Sequence, residues 1–440
     1  MRHGFRAAGL SVAALLMAGT GKAQDKPLLD AVTSDPATLG WMQGSPPPPD
    51  KRILAARGDH RRFPMTRYSF SHMREFVPTK RVSRGSGKVR VLPVALRSDL
   101  GAVTFTPLRG TSPMRWDASL KANFTDGIVV LHRGKVVYER YFGVTRPDTR
   151  HIAFSVTKSF VGTIAEMLIA EDRLDEGKPV AHYLPELAAS GFGDATVRQV
   201  MDMTTGLDFS EDYTDPKSGI GAFSLAVGLT TRPPDYAGPE DLYAFLPGVN
   251  KLGVHGDRFT YRTCNTEVLG WIVARIEGKP MEQVLAERIW QPLGMEGDAD
   301  FVIDSAGISF TGGGLNPVLR DMARFGEAMR LGGQQGGRQV ISAKAVESIR
   351  GGGRREDFAK AGYAMLPGWS YRSQWWVAHN PHGAYSARGI NGQAIYIDPK
   401  AEMVIARFAS HPVAANAALD PTSLPAYQAI AEHLMQNPRK

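Results

Sequence analysis

The chain has 440 residues, 43% of them hydrophobic and 22% charged, which is enough to bury a large core without help from cross-links. Its formal net charge of +8 is spread along the chain with no basic run interleaved with aromatics, so a nucleic-acid partner is not expected. A single cysteine, Cys264, rules out an internal disulfide. The 11 histidines are scattered, with neither H-E-x-x-H nor paired Cys/His spacing, so no metal and no cofactor is implied.

In chain order, residues 1–23 have the form of a secretory leader. Arg2 and Arg6 precede a short apolar run over 7–18, and Gly21-Lys22-Ala23 offers small residues before Gln24. That run is short for a bilayer span and no later stretch is long and apolar enough, so an exported, periplasmic protein without a stable membrane anchor is expected. Residues 24–115 form an extended segment expected to wrap the body, with a polyproline stretch at 46–49, a basic glycine-rich turn at 84–88 and a candidate strand at 89–96.

The main domain is expected over 116–440. Apolar residues 128–131 and 136–142 flank His132-Arg133-Gly134-Lys135 and predict a β-hairpin. A helix follows from Ser155 to Glu171, with Phe160, Val161, Ile164 and Leu168 at helical spacing. Residues 178–346 predict a mainly helical lobe punctuated by Thr205-Gly206, Pro233-Pro234 and Gly312-Gly313-Gly314. Strands return at 374–378, 393–398 and 403–408, the last two joined at Pro399-Lys400, and a helix over 424–435 closes the chain. Strands at both ends of the domain, with helices between them, predict an α/β (α+β) fold. Its antiparallel sheet is flanked by helices and carries an inserted helical lobe, with a site in the cleft between lobes.

Ser155-Val156-Thr157-Lys158, the one S-x-x-K of the chain, opens the first long helix. It puts a hydroxyl and an amine one turn apart on one face, at the electropositive helix end. A serine attacks a carbonyl only when a base takes its proton, and a lysine does so only when neutral. Burial and the helix N-terminus both push it that way. The bland alternative is an N-cap serine followed by a solvated lysine. Cys264 has no surrounding nucleophile signature and is expected to be a packed residue.

Three elements in order carry a resemblance: the S-x-x-K, then Tyr261-Arg262-Thr263 before a helical stretch, then Gly389-Ile390-Asn391-Gly392-Gln393 leading into a strand. With them the chain resembles the penicillin-recognising serine hydrolases, which include serine β-lactamases, D-alanyl-D-alanine peptidases and related esterases and amidases. Gly40-Trp41-Met42-Gln43-Gly44, Glu211-Asp212-Tyr213 and Gln374-Trp375-Trp376 are similar to the branch of 6-aminohexanoate-dimer hydrolases and carboxylesterases. The resemblance implies a β-lactamase-like fold and an acyl-enzyme on Ser155, with Lys158 taking or relaying the proton. Tyr261 would protonate the leaving group and help activate water. A phenol needs a nearby cation to lower its pKa, and Lys158 is the expected source. The resemblance also puts one oxyanion donor on the N–H of Ser155 and the other on the late strand. Ile390 is expected there, or Ala387 if the register differs.

Two departures shape the expected substrate. Thr263 stands where relatives carry an asparagine, so its hydroxyl, with Asn265 two residues on, is expected to meet Lys158 or substrate. Arg388-Gly389-Ile390 replaces Lys-Thr-Gly, and Arg388 would hold a substrate carboxylate only if its side chain faced the cleft. Tyr213 is expected at the substrate amide, as that branch implies, and Trp375 rather than its neighbour is assigned to the cleft. Gly312-Gly313-Gly314, with no Lys-Ser/Thr after it, is expected to let backbone approach the next helix near Pro317. The expected function is a serine hydrolase acting on small esters or linear amides. A β-lactamase or D-alanyl-D-alanine peptidase of the same fold is the close rival, and a non-catalytic peptidoglycan- or ligand-binding descendant is the reading of another class. The partner is a small-molecule ester or amide, and the oligomeric state is open.

Overall fold

The computed structural model describes residues 28–437, so the leader expected over 1–23 lies outside the described residues. The hairpin forms as its turn chemistry dictates. Strands β1 (Thr125–His132) and β2 (Lys135–Tyr141) pair antiparallel, and Arg133 and Gly134 both take positive φ, as a two-residue hairpin turn requires. All eight residues of β1 are buried, because alternate side chains enter two different cores. Val129 and Leu131 face one, Ile128 and Val130 the other.

Five late strands extend this hairpin: β3 (Ser370–Arg372), β4 (Trp375–Val377), β5 (Tyr385–Arg388), β6 (Ala394–Asp398) and β7 (Met403–Ala409). Every neighbouring pair is antiparallel and the spatial order is β3-β4-β5-β6-β7-β1-β2, so the first hairpin completes the sheet laid down by the last strands. Helices α1 (Val156–Ala170), α2 (Thr263–Glu277) and α3 (Leu319–Arg330) contribute to the core on one face. Helix α4 (Asp420–Gln436) packs on the other through Tyr427, Ile430 and Leu434. Pro425 lies inside α4 and has no N–H for the Pro421 carbonyl one turn back. That carbonyl accepts instead from Leu108 N–H at 2.8 Å, which ties the N-terminal segment to the last helix.

The one-sided helix expected from the Ser155 pattern is in fact buried on all sides from Val156 to Leu168. Its polar residues are therefore matched internally: Ser159 Oγ donates to the Gln374 carbonyl at 2.7 Å, and Glu166 accepts from Arg198 and Ser348. Gly162 is where α1 meets the turn between β3 and β4, and a Cβ there would collide with the Ser373 carbonyl oxygen and crowd the Gln374 side chain. Gly162→Ala is expected to cost about 1–3 kcal/mol, read as a lowered Tm in thermal unfolding.

One expectation needs correction. Residues 89–96 are not a strand; Pro93 interrupts the run, and only Val94 forms a bridge, parallel to Val136. The lobe expected to be mainly helical also holds a small sheet: Ala299–Val302 and Leu315–Asn316 pair in it, and its third strand, Thr79–Val82, comes from the N-terminal segment. The late strand expected to carry Ala387 runs over Tyr385–Arg388 and is buried on both faces, which erases the alternation a half-exposed strand shows and left its bounds unreadable. Within the N-terminal segment, Arg67 is buried against Asp126 (2.7 Å), Ser410 Oγ (2.9 Å) and the Phe124 carbonyl (3.2 Å). Removing one partner of such a pair is expected to leave an unpaired buried charge.

Candidate active site

Ser155 ends the loop that enters α1, and Phe154 before it sits at φ 44°, a left-handed conformation that bulky residues rarely adopt. Phe70 packs edge-on to the Phe154 ring at 4.9 Å and so helps hold that conformation. The Ser155 side chain makes no capping bond, so the N-cap alternative fails and the hydroxyl is left for other partners. Lys158, one turn on, is 1% exposed. Its Nζ donates to Ser155 Oγ at 3.2 Å, to Thr263 Oγ1 at 3.2 Å and to the Gly312 carbonyl. These three acceptors match the three protons of an ammonium. Burial nevertheless pushes the Lys158 pKa down to about 8, against the pull of Glu211 and Glu267.

Tyr261 faces the same amine, with Lys158 Nζ 5.3 Å from its ring centroid. Its ring stacks on Trp376 at 5.7 Å. The expectation that Lys158 lowers this phenol is corrected: burial pushes its pKa well above the ordinary value, and Glu211 adds to the rise. Tyr261 therefore keeps its proton at neutral pH.

Thr263 is the first residue of α2, and its N–H donates to Glu211 Oε1, a carboxylate placed at the positive end of that helix. Tyr213 is 44% exposed, walls the cleft and donates its hydroxyl to Glu211 Oε2 at 2.6 Å. The Glu211-Asp212-Tyr213 loop is thus tied to the helix that carries Thr263. Ile390 opens a short 3₁₀ turn after β5 and also walls the cleft. A Cβ on neighbouring Gly389 would lie 2.6 Å from the Ala153 carbonyl and 3.1 Å from Ser155 N, so this backbone runs directly against that of Ser155. Among the described residues the N–H groups of Ser155 and Ile390 have no protein acceptor. Ala387, in contrast, is paired with Ile395 inside the sheet.

The cleft is a cavity of about 860 Å³ walled by Ser155, Tyr261, Phe209, Tyr363, Trp376 and Arg388, among others. Trp375 is not among them. Strand alternation sends it into the core, 0% exposed and bonded to Thr163, and presents Trp376 instead. Asn265 is also absent from the cleft: it is fully buried in α2, with Oδ1 accepting from Thr205 at 2.9 Å. It does not substitute for the missing asparagine. Arg388 does face the cleft, but its guanidinium is paired with Asp420 and lies 5.2 Å from the Trp376 ring centroid. Cys264 is fully buried and its thiol is pushed well up, which removes it as a nucleophile.

The β-lactamase family model matches residues 122–426, a span that holds the whole sheet and all of these groups. The chain belongs to the β-lactamase family. A 6-aminohexanoate-dimer hydrolase of Paenarthrobacter ureafaciens is 36% identical over 350 residues, covering 79% of this chain and 86% of that protein. Among solved structures, one named "Putative 6-aminohexanoate-dimer hydrolase from Bacillus anthracis" superposes with a TM-score of 0.81 at 33% identity, over 90% of this chain and 100% of that one. A family VIII carboxylesterase shares the fold at a TM-score of 0.52 and 18% identity, over 69% of this chain and 92% of that one. Like its named relatives in the β-lactamase family, this chain is a hydrolase.

Sequence reasoning missed one group in this β-lactamase-family site. Glu267, one turn after Thr263 on α2, is 2% exposed and accepts from Gly312 N (2.6 Å), Thr311 N (3.0 Å) and Thr311 Oγ1 (2.7 Å). Its one available signal was an acidic residue on an otherwise apolar helix face. The Gly312-Gly313-Gly314 run brings backbone to Lys158 and Glu267, not to the following helix.

Proposed function

We propose that the protein is a serine hydrolase that cleaves small esters or linear amides through an acyl-enzyme on Ser155. The observation that carries this reading is the buried Lys158 amine, 3.2 Å from Ser155 Oγ, with Ser155 opening on a large cavity whose wall includes Phe209, Tyr261, Tyr363 and Trp376. In its neutral form Lys158 takes the hydroxyl proton as Ser155 Oγ bonds to the substrate carbonyl carbon. The N–H groups of Ser155 and Ile390 hold the developing oxyanion. Tyr261, still protonated, gives its proton to the departing amine or alkoxide and is reprotonated from Lys158. Water then attacks the acyl carbonyl and passes a proton to the same pair, which returns it to Ser155 Oγ as the C–Oγ bond breaks and the acid leaves. Tyr213 and Trp376 contact the rest of the substrate, and Thr263 steadies Lys158. The leader-like residues 1–23 support export to the periplasm.

A panel of p-nitrophenyl butyrate, the linear 6-aminohexanoate dimer and nitrocefin tests the substrate class. Turnover of the ester or the dimer, with nitrocefin far slower, is the expected result. Nitrocefin cleaved as fast as the ester would move the assignment to a β-lactamase. The acid limb of kcat/KM is expected near pH 8, where Lys158 loses its proton, with activity falling about tenfold per pH unit below it. A limb set by an ordinary carboxylate, near pH 4, would remove Lys158 from the base role.

A further inference from the structure

Lys158 does not choose its own direction. Besides Ser155 Oγ and Thr263 Oγ1, it is held by the carbonyl of Gly312, a residue in a loop with no side chain to anchor it. What anchors that loop is Glu267. One carboxylate oxygen takes the Gly312 N–H, and the other takes both the N–H and the hydroxyl of Thr311. A Cβ on Gly312 would collide with Glu267 Oε1 and with Thr263 Cγ2, so the loop is pressed against α2 as closely as backbone allows. The two faces of one peptide segment thus bind two opposite charges: the N–H side a carboxylate, the C=O side an amine.

We propose that Glu267 is a positioning residue for the hydrolase: its carboxylate fixes Thr311 and Gly312 so that the Gly312 carbonyl holds the Lys158 amine against Ser155. This rests on Ser155 and Lys158 acting as proposed above. The carboxylate has a second effect through its charge. Burial pushes Glu267 up to about 7, with Lys158 and the Thr311 and Gly312 donors opposing the rise. An ionised Glu267 favours the protonated amine, so it raises the pH at which Lys158 becomes a base. The other groups that bear on the pair are Glu211 and the Cys264 thiol, beside Lys158, and Tyr243, beside Glu267. Glu267 and Thr311 also wall a separate cavity of about 180 Å³ with Tyr243 and Trp271, which shares no lining residue with the catalytic cleft.

The test is the rate of fluorophosphonate labelling of Ser155 against pH, for the wild type, Glu267→Gln and Glu267→Asp. Glutamine keeps the volume but turns an amide N–H₂ towards an N–H donor and removes the charge. The expected result for E267Q is a limiting rate at least about tenfold lower and an acid limb moved about one pH unit downwards. E267D is expected to lower the limiting rate while leaving the limb at its wild-type position. A lower rate in E267Q with an unmoved limb would mark a packing defect and overturn the inference, as would an E267D limb that moves with E267Q. Should E267Q fail to fold by circular dichroism, carbon-13 NMR of the Glu267 carboxyl in the wild type and in Lys158→Ala decides instead. A midpoint raised in the variant supports the coupling, and an unchanged one overturns it. Wild-type protein that takes no label at Ser155 would sink the hydrolase mechanism itself, and the carboxyl titration would still report on Glu267.

Discussion

Ser155→Ala is expected to abolish ester turnover, by at least about 10⁴-fold, together with all fluorophosphonate labelling. The size of the loss follows from chemistry that nothing nearby can replace. Cys264 is buried with its thiol pushed up, and the Thr263 hydroxyl is already engaged by Lys158. The fold should hardly notice. Ser155 Oγ makes no helix-capping bond and, among the described residues, engages only the site side chains Lys158 and Tyr261, so Tm is expected to stay within a few degrees of wild type. A variant that keeps its turnover would show that another residue is the nucleophile, and every role assigned around it would fall.

Lys158→Ala and Lys158→Arg are both expected to lower kcat/KM for p-nitrophenyl butyrate by about 10²–10⁴-fold. The arginine variant is the sharper of the two. It preserves a cation beside Ser155, but its guanidinium stays protonated throughout the working range and cannot take the serine proton. If the lysine acted merely as a positive charge near the oxyanion, arginine would retain much of the activity. Equal loss in both variants marks the neutral amine as the working form, in line with a pKa pushed down to about 8 by burial. In the alanine variant, small primary amines are expected to restore part of the rate. That rescue should grow with pH, since only the unprotonated amine can enter an apolar site and act as a base.

What the sequence disclosed was local, and the reasons are geometric. A hydroxyl and an amine three residues apart must share a helical face, so Ser155 and Lys158 could be paired without coordinates. A two-residue turn containing glycine fixes a hairpin in the same way, and β1 and β2 formed around it. Long-range facts were illegible. Choosing between Trp375 and Trp376 needs to know which sheet face carries the cleft, because alternation alone gives two equal answers. Asn265 looked well placed in sequence, yet two residues along a helix turn a side chain by about 200° and point it to the far side. Glu267 was invisible for another reason: its partners, Thr311 and Gly312, lie more than 40 residues downstream in a loop. The direction of the Tyr261 shift was likewise unreadable, because burial is a property of the folded cleft and outweighed the Ser155 hydrogen bond and the Arg388 charge that act the other way.

The strand order carries a consequence for how the molecule comes into being. β7 lies between β6 and β1, so residues 403–409 must be in place before 125–132 have a partner on that side. A ribosome releases β1 and β2 long before β7, and through that interval the hairpin carries a buried-type edge with nothing to cover it. Closing so distant a pairing is slow, since the entropy of a very long loop is lost before the strand contacts form. Completion of the sheet is therefore a late event. A chain stopped short of residue 403 keeps Ser155 and Lys158 on one helical turn, yet lacks the strand that joins the first hairpin to the rest of the sheet.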